Sequence, residues 1–236
     1  MINVLLAGVG GQGTVLAAKV LAQAAAARGW QVRTAETIGM AQRGGNVTSH
    51  VRMGDGGEEV FSSLITPSTA DMVIALEPGE AARALPYLAP GGVLVTATTA
   101  IQPVTAALAS QPYRAAEVVA NLANSLQAQA LAEAAKASEA EAVRATGEAA
   151  PADAQAPGVE GYPVPLFVPV DDAALEHELG PGSRKSLNMM LLAVAVAQNR
   201  VPLTLSEVKA AVEVCVKPQF VAMNLEAIDH AAQAYG

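Results

Sequence analysis

The hydrophobic pattern at the start of the chain predicts a strand, a glycine-rich turn, a helix and a second strand. An apolar run within residues 2–7 is typical of a strand buried on both faces. Apolar side chains then recur at helical spacing over residues 14–28, and Gly29 follows where a glycine commonly ends a helix. Residues 31–36 form the next predicted strand, with Val32 buried. This order predicts a βαβ unit of about 35 residues.

Farther along the chain, predicted strands continue to alternate with helices. Val47 and Val51 alternate with polar side chains over residues 46–53, which predicts a strand with one buried face. Pro165 and Pro169 indicate that the strand containing them lies at a sheet edge. Other strands are expected at 72–76 and 93–97, and other helices at 78–85, 103–110, from 115 onward, 171–179, 186–198, 205–214 and 218–235.

Three of these helices begin at residues that suit a helix N-terminus. Thr14 is expected to supply a cap or a first-turn hydroxyl, and Ser206 is expected to cap the helix that follows it. Pro78 is tolerated at a first helical position, where its missing N–H is not needed. The predicted elements together indicate an α/β fold. We expect a Rossmann-like, doubly wound, mostly parallel sheet with helices on both faces.

The stretch from residue 115 to residue 161 differs from the rest of the chain. It is rich in Ala, Glu and Gln, and it contains seven acidic and two basic residues. Beyond Leu131 the apolar face is almost entirely alanine, so a helix there gains little from packing. We therefore predict that residues 1–236 form one domain, and that residues 127–161 are an Ala-rich insertion within it, helical at first and then a flexible loop.

Composition excludes several classes of function. The chain has 236 residues and a net charge of −8, and this acidity disfavours binding to nucleic-acid phosphates. Its single cysteine, Cys215, cannot by itself hold an iron–sulfur cluster, which usually needs about four thiolates. No apolar run reaches the roughly 18 residues of a membrane span, and the first residues lack the basic region of a signal peptide. We therefore expect a cytoplasmic protein.

A glycine-rich motif follows the first strand. Gly8, Gly10 and Gly13 satisfy the pattern G-x-G-x-x-G between a predicted strand and a predicted helix, as a dinucleotide-binding turn requires. Glu36 ends the second strand, near the position of a ribose-binding carboxylate. By pattern alone this is a dinucleotide-binding fold. The alternative is that the loop contacts another subunit or a phosphate without holding a redox nucleotide.

A second glycine-containing loop spans residues 36–45. Gln42 and Arg43 place polar groups at the carboxyl end of the sheet, where open α/β folds bind ligands. Arg43 could bind a phosphate or a carboxylate with two hydrogen bonds, or it could form an ion pair between subunits. Gly44 and Gly45 make the loop conformationally permissive.

Other chemistry has weaker support in the sequence. Gly54-Asp55-Gly56 resembles the start of a thiamine diphosphate motif, but no Asn occurs between residues 57 and 120 to complete it, so we interpret it as a turn. The three histidines are not spaced as metal ligands. Cys215 lies on an apolar helix face, where packing is the default role. The sequence has neither a G-x-S-x-G elbow nor a P-loop lysine, so no catalytic residue is assigned.

The two loops together resemble the gamma-type domain of 2-oxoacid:ferredoxin oxidoreductases. The version with Met40-Ala41-Gln42-Arg43-Gly44-Gly45 is most similar to the beta subunit of indolepyruvate ferredoxin oxidoreductases. The resemblance covers roughly residues 1–126 and 162–236. Beyond the two glycine loops it is carried by Ala17, Leu21, Ala22, Ser49, His50, Val51, Arg52, Lys185, Ser186, Asn188, Met189, Lys217, Val221 and Asn224.

The resemblance implies a subunit of a complex that decarboxylates arylpyruvates oxidatively to acyl-CoA, with ferredoxin as electron acceptor. It implies a larger partner subunit that carries thiamine diphosphate, Mg²⁺ and iron–sulfur clusters, and no cofactor held by this chain alone. CoA phosphates could contact the loops, so the candidate cofactor-binding residues are Gly8, Gly10, Gly11, Gln12, Gly13, Gln42, Arg43, Gly44 and Gly45. The alternative is a self-sufficient NAD(P)-dependent dehydrogenase, which the glycine motif and Glu36 would suit.

Overall fold

A computed structural model describes residues 1–39, 45–101, 113–146 and 164–236. Its six strands are β1 (Ile2–Val9), β2 (Gln31–Ile38), β3 (Asn46–Gly54), β4 (Ala70–Ala75), β5 (Leu88–Ala97) and β6 (Leu166–Val170). Its α-helices are α1 (Thr14–Ala27), α2 (Pro78–Ala84), α3 (Ala115–Thr146), α4 (Asp172–Leu179), α5 (Leu187–Ala197), α6 (Leu205–Cys215) and α7 (Pro218–Tyr235). The helix predicted at 103–110 lies outside the described residues, as does most of the predicted flexible part of the insertion.

The six strands form one mixed sheet in the order β2-β3-β1-β4-β5-β6. Strands β1, β4, β5 and β6 are parallel to one another, whereas β3 is antiparallel to both β1 and β2. The α/β class and the mostly parallel sheet are therefore confirmed. The predicted βαβ unit is present in split form, because α1 connects the parallel strands β1 and β2 and β3 lies between them.

Each strand of the sheet centre contributes side chains to two separate cores. Val4 and Leu6 on β1 face α1, α5, α6 and α7, whereas Leu5 and Ala7 face α2 and α3. This alternation is expected for a strand covered on both faces. Helix α5 lies within the first core, and all its residues from Leu187 to Val196 are buried. The C-terminal helices thereby pack against the same sheet face as α1.

Helix ends follow local capping chemistry, with one difference from the sequence prediction. Thr204, rather than Ser206, caps α6, because the Thr204 hydroxyl accepts from the Glu207 N–H while the Glu207 carboxylate accepts from the Thr204 N–H. Gly13 occupies the N-cap of α1, so the hydroxyl of Thr14 makes no capping bond. Gly29 ends α1 at φ +80°, as predicted.

Helix α3 packs against the sheet along one narrow stripe. Its buried residues, Leu122, Leu126, Ala130 and Ala134, recur every four positions, whereas Leu131 is exposed. This agrees with the predicted long helix that packs through leucines first and alanines later. At the far side of the sheet, β6 is the edge strand that its prolines indicated. Among the described residues, no helix is both long and apolar enough to cross a membrane.

Candidate functional site

The glycine loop connects the carboxyl end of β1 to the first turn of α1. Gly11 and Gly13 adopt φ values of +97° and +85°, in the region that L side chains rarely enter. The oxygen and the nitrogen of the Gln12 side-chain amide each form a hydrogen bond that holds the loop in place. Its Oε1 accepts from the Val9 N–H at 2.6 Å, and its Nε2 donates to the Leu76 carbonyl at 2.7 Å. Gln12 therefore ties the loop to the end of β4.

Two of the glycines allow close approach of neighbouring groups. A Cβ added at Gly8 would lie 2.8 Å from the Thr14 hydroxyl, and one added at Gly13 would lie 2.6 Å from Nδ2 of Asn188. The same Nδ2 donates to the Gly13 carbonyl at 3.0 Å. Asn188 is 2% exposed and belongs to the buried helix α5. The core helix therefore contacts the glycine loop directly.

The loop leaves backbone donors free at the N-terminus of a 14-residue helix. Within the described residues, the amides of Gly11, Gly13 and Thr14 form no hydrogen bond, and the N-cap Gly13 has no side chain to supply one. The first turn of α1 contains no acidic residue. Unpaired N–H groups and the positive end of the helix dipole attract anions at such a terminus.

A pocket of about 520 Å³ opens beside this loop and brings two cations to it. The residues around it come from the glycine loop, the segment after β5, the segment before α5 and the first residue of α5. They are Gly10, Gly11, Gln12, Ile101, Gly182, Arg184, Lys185 and Leu187. Lys185 is exposed, and no salt bridge joins it to another described residue. The backbone of the exposed Gly11 and two cationic side chains thus line one pocket, a donor set that suits phosphate groups.

Arg184 is held at this pocket by two carboxylates of α4. Its Nη1 lies 3.2 Å from Oε2 of Glu176 and 3.6 Å from Oδ2 of Asp172. Asp172 is 2% exposed, and its Oδ1 accepts from the amides of Thr98 and Thr99 at 3.0 and 2.9 Å. The position of the guanidinium is therefore fixed to the carboxyl end of β5.

The second glycine loop approaches the first one through its last residue. The Gly45 carbonyl accepts from the Gly10 N–H at 2.8 Å, which places the end of the second loop against the middle of the first. The predicted site residues Gln42, Arg43 and Gly44 lie outside the described residues. Among the candidate cofactor-binding residues of the first glycine loop, Gly10 and Gly11 are exposed and line the pocket, whereas Gly8 is buried.

The geometry does not suit the dehydrogenase alternative. Glu36 pairs with Ser49 of β3, and β3 separates it from β1 and the glycine loop. In a dinucleotide-binding turn the ribose carboxylate comes from the strand next to β1, whereas Glu36 is displaced by two strand spacings, about 10 Å.

The turn after β3 at Asp55 agrees with the interpretation of Gly54-Asp55-Gly56 as a turn. No group of three His, Cys, Asp or Glu side chains in the described part of the chain is arranged to hold a metal ion.

The buried carboxylate of Glu77, just after β4, lies near the glycine loop. Glu77 is 2% exposed, follows the Leu76 carbonyl that Gln12 binds, and caps α2 through Oε2, which accepts from the Glu80 N–H at 3.0 Å. Burial raises the pKa of Glu77, and burial likewise raises the pKa of Glu80. Within the described residues, Oε1 of Glu77 has no hydrogen-bond partner.

Sequence reasoning missed Arg184 as a site residue and gave Lys185 and Asn188 no role at the loop. The glycine loop and these residues are about 175 positions apart, so spacing cannot connect them. A local signal does exist, since two adjacent cations follow the glycine-rich break at Gly180 and Gly182 and precede the most apolar helix. A glycine-containing loop of this kind, just before the start of a buried helix, is typical of a loop that forms a site.

The fold and the site define an α/β domain in which a glycine loop and two cationic side chains line one pocket. The family described as pyruvate ferredoxin/flavodoxin oxidoreductase matches residues 3–234. The chain therefore belongs to this family.

Individual relatives agree with this assignment. An indolepyruvate oxidoreductase subunit IorB from Archaeoglobus fulgidus is 45% identical over 113 residues, which are 47% of this chain and 54% of that protein. The corresponding subunit from Pyrococcus horikoshii is 38% identical over 117 residues, 50% of this chain and 56% of that protein. The chain thus spans about half the length of the curated relatives it matches.

Solved structures share the fold at low sequence identity. The gamma subunit of a keto/oxoacid ferredoxin oxidoreductase from Geobacter sulfurreducens is 18% identical, with a TM-score of 0.57 over 99% of this chain and 97% of that one. A 2-oxoglutarate:ferredoxin oxidoreductase from Magnetococcus marinus, solved with 2-oxoglutarate, coenzyme A and succinyl-CoA bound, is 17% identical with a TM-score of 0.60. That match covers 100% of this chain and 31% of the other.

Proposed function

We propose that this chain is the smaller subunit of a complex that oxidises a 2-oxoacid in the presence of CoA. The reaction releases CO₂, joins the remaining acyl group to CoA as a thioester, and passes two electrons to ferredoxin. The similarity to subunits named for indolepyruvate favours an arylpyruvate as the 2-oxoacid. The complex is expected in the cytoplasm, where reducing conditions keep Cys215 a free thiol.

The observation that carries a role for this chain is the pocket beside the glycine loop. Gly11, whose amide has no partner among the described residues, lines this pocket together with Arg184 and Lys185, which add positive charge. This donor set fits the phosphate groups of CoA better than it fits a single carboxylate, because several donors converge on one volume. We propose that this chain binds the phosphates and thereby orients CoA, while the CoA thiol extends toward the partner.

The remaining cofactors belong, in this proposal, to a larger partner subunit. Cys215 is the single cysteine of the chain, and a cluster usually needs about four thiolates. Thiamine diphosphate would supply the carbanion chemistry on the partner, with Mg²⁺ holding its phosphates. The chain's own part is to bind CoA, to exclude water from its phosphates, and to complete the surface of the active site.

Reconstitution tests the proposal. The chain would be coexpressed with a thiamine- and cluster-bearing large subunit, purified without oxygen, and assayed for reduction of ferredoxin by indolepyruvate. Activity that needs both subunits and CoA is the expected result. A large subunit that reaches full activity and full CoA affinity without this chain would refute the proposed role. Tight binding of NADH to the isolated chain, measured by fluorescence, would instead favour the dehydrogenase alternative.

A further inference from the structure

A second pocket, of about 250 Å³, lies on the opposite side of the sheet from α1, and the proposed function does not use it. Its floor is apolar and consists of Leu5 and Ala7 from β1. Its walls are polar and come from β3 and α2, with His50, Thr48 and Glu80 among them. The pocket is therefore a small amphipathic site formed by the centre of the fold.

His50 presents a fixed hydrogen-bond donor to this pocket. The side chain is 5% exposed, and its Nδ1 accepts from the Ile65 N–H at 3.2 Å. A backbone donor opposite Nδ1 requires the neutral ring to carry its proton on Nε2. Burial lowers the pKa of His50, which favours this neutral form. Within the described residues Nε2 has no partner, so its N–H remains available to a ligand.

Glu80 presents an acceptor and a negative charge. Its side chain is 5% exposed, and Oε1 pairs with Arg83, whose own side chain is 69% exposed. Arg83 also lines the pocket, but its guanidinium is paired with this buried carboxylate. An anion would have to compete with Glu80 for that charge, because the other described lining residues include no Lys or Arg. Anionic 2-oxoacids and CoA phosphates are therefore disfavoured here.

The ring of Tyr87 limits the shape of the occupant. It packs edge-on against His50, with the ring centroids 6.0 Å apart and the planes at 78°, and it lines the pocket together with the apolar floor. We propose that this pocket binds an uncharged, planar small molecule that accepts a hydrogen bond from Nε2 of His50 and donates one to Glu80. An aromatic carboxamide has this combination of groups. The site is distinct from the proposed CoA site in its charge as well as its position.

Benzamide and benzoate form a matched pair of probes, since they share their shape and differ in charge. The full chain contains three histidines, so ring nitrogen NMR signals can be assigned by comparison with a His50 variant. Benzamide is expected to shift the His50 ring signals and leave those of His177 and His230 unchanged. Benzoate at the same concentration is expected to leave all three unchanged. Equal binding of the two probes, or no shift of His50 by benzamide, would overturn the proposal.

Variants separate the pocket from general effects on the fold. Ala84→Leu places a larger side chain in the pocket and should abolish the benzamide shift. Thr48→Val removes one lining hydroxyl and should weaken binding about three- to tenfold, the range expected for one hydrogen bond. Thr34→Val is the matched control, because Thr34 lies on exposed β2 and not among the residues of the pocket. A benzamide shift that persists unchanged in both pocket variants would refute the site.

A separate pair of variants tests whether Glu80 disfavours anionic ligands in this pocket. Glu80→Gln keeps the size of the side chain and removes the negative charge, so benzoate should bind at least about fivefold more tightly than to the original chain. Glu213→Gln, on the exposed face of α6, is the control and should not change benzoate binding. If Glu80→Gln leaves the ratio of benzamide to benzoate affinity unaltered, Glu80 does not determine selectivity and the proposed ligand class is wrong.

Discussion

Asn188 donates a hydrogen bond from Nδ2 to the Gly13 carbonyl, 3.0 Å away, and so connects the buried helix α5 to the cap of α1. The two residues are 175 positions apart in the chain. The same nitrogen would lie 2.6 Å from a Cβ at Gly13, so a glycine is needed there for space as well as for its φ of +85°. The shape of the glycine loop therefore depends on the hydrophobic core.

This contact predicts a measurable coupling between the two residues. Asn188→Ala should lower the free energy of unfolding by about 0.5–1.5 kcal/mol, because the Gly13 carbonyl loses one hydrogen bond but keeps the one from the Ala17 N–H. Gly13→Ala should cost about 1–2 kcal/mol from backbone strain and more from the clash. In the double variant the clash is absent, so the total loss should be smaller than the sum of the single losses. Urea denaturation of all three variants measures this.

Gly29 supplies the matched control for that cycle. It has a similar φ of +80°, but a Cβ there would meet nothing within 4 Å. Gly29→Ala should therefore cost only the strain, about 1–2 kcal/mol, and should be additive with Asn188→Ala. Strict additivity for Gly13 as well would show that the steric contact with Asn188 is unimportant.

The cationic wall of the pocket predicts a specific loss of CoA affinity. Arg184→Gln and Lys185→Gln should each weaken CoA binding to the assembled complex about tenfold, since a hydrogen bond to a charged group contributes about 1.5–3 kcal/mol. The KM for the 2-oxoacid should stay the same. Arg200→Gln, on an exposed turn after α5, should leave both values unchanged. Equal effects of all three variants would indicate that the overall charge of the chain, rather than direct contact with Arg184 and Lys185, determines CoA affinity.

The capping box at α6 predicts which hydroxyl matters for stability. Thr204→Ala should lower the free energy of unfolding by about 1 kcal/mol, the usual cost of losing a cap. Ser206→Ala should change it by less than about 0.5 kcal/mol, because Ser206 lies inside the helix at its surface. Thermal or urea unfolding compares the two. A larger loss for Ser206→Ala would reverse the assignment of the cap.

The buried carboxylates of α2 predict a pH dependence of stability. The pKa values of Glu77 and Glu80 are raised above their ordinary 4.5, so the folded state binds more protons than the unfolded state just above that pH. Their contribution to stability therefore decreases as the pH rises from 4.5 through the raised values, and it remains reduced above them. The double variant Glu77→Gln, Glu80→Gln should gain stability relative to the original chain as pH rises. A constant difference in urea midpoint across pH 4.5 to 8 would contradict this.

Local pattern was sufficient to predict the elements that depend on neighbouring residues. The β1-loop-α1 segment and α7 are confirmed almost to the residue, because strand runs, helical spacing, Gly29 and Pro218 are all visible in sequence. The edge position of β6 was also visible, through Pro169, because proline cannot donate within a sheet.

Features that depend on distant pairing could not be predicted. The alternating pattern of β3 indicated one buried face, yet it could not show that β3 pairs with both β1 and β2. The choice of Thr204 over Ser206 as the cap depends on the backbone of Thr204, which is extended at ψ 155°. Arg184 lines the same pocket as Gly10 and Gly11 because the segment before α5 lies beside the glycine loop, a relationship that no spacing encodes.

The link between Asn188 and Gly13 also has a consequence for biosynthesis. Strand β1, helix α1 and the β2–β3 hairpin are complete within the first 54 residues, so they can pair early as the chain leaves the ribosome. Asn188 follows about 130 residues later, a delay on the order of ten seconds at usual rates of translation. A nascent chain therefore contains its glycine loop before Asn188, Arg184 and Lys185 have been synthesised. Its affinity for anions should arise only in the last stage of synthesis.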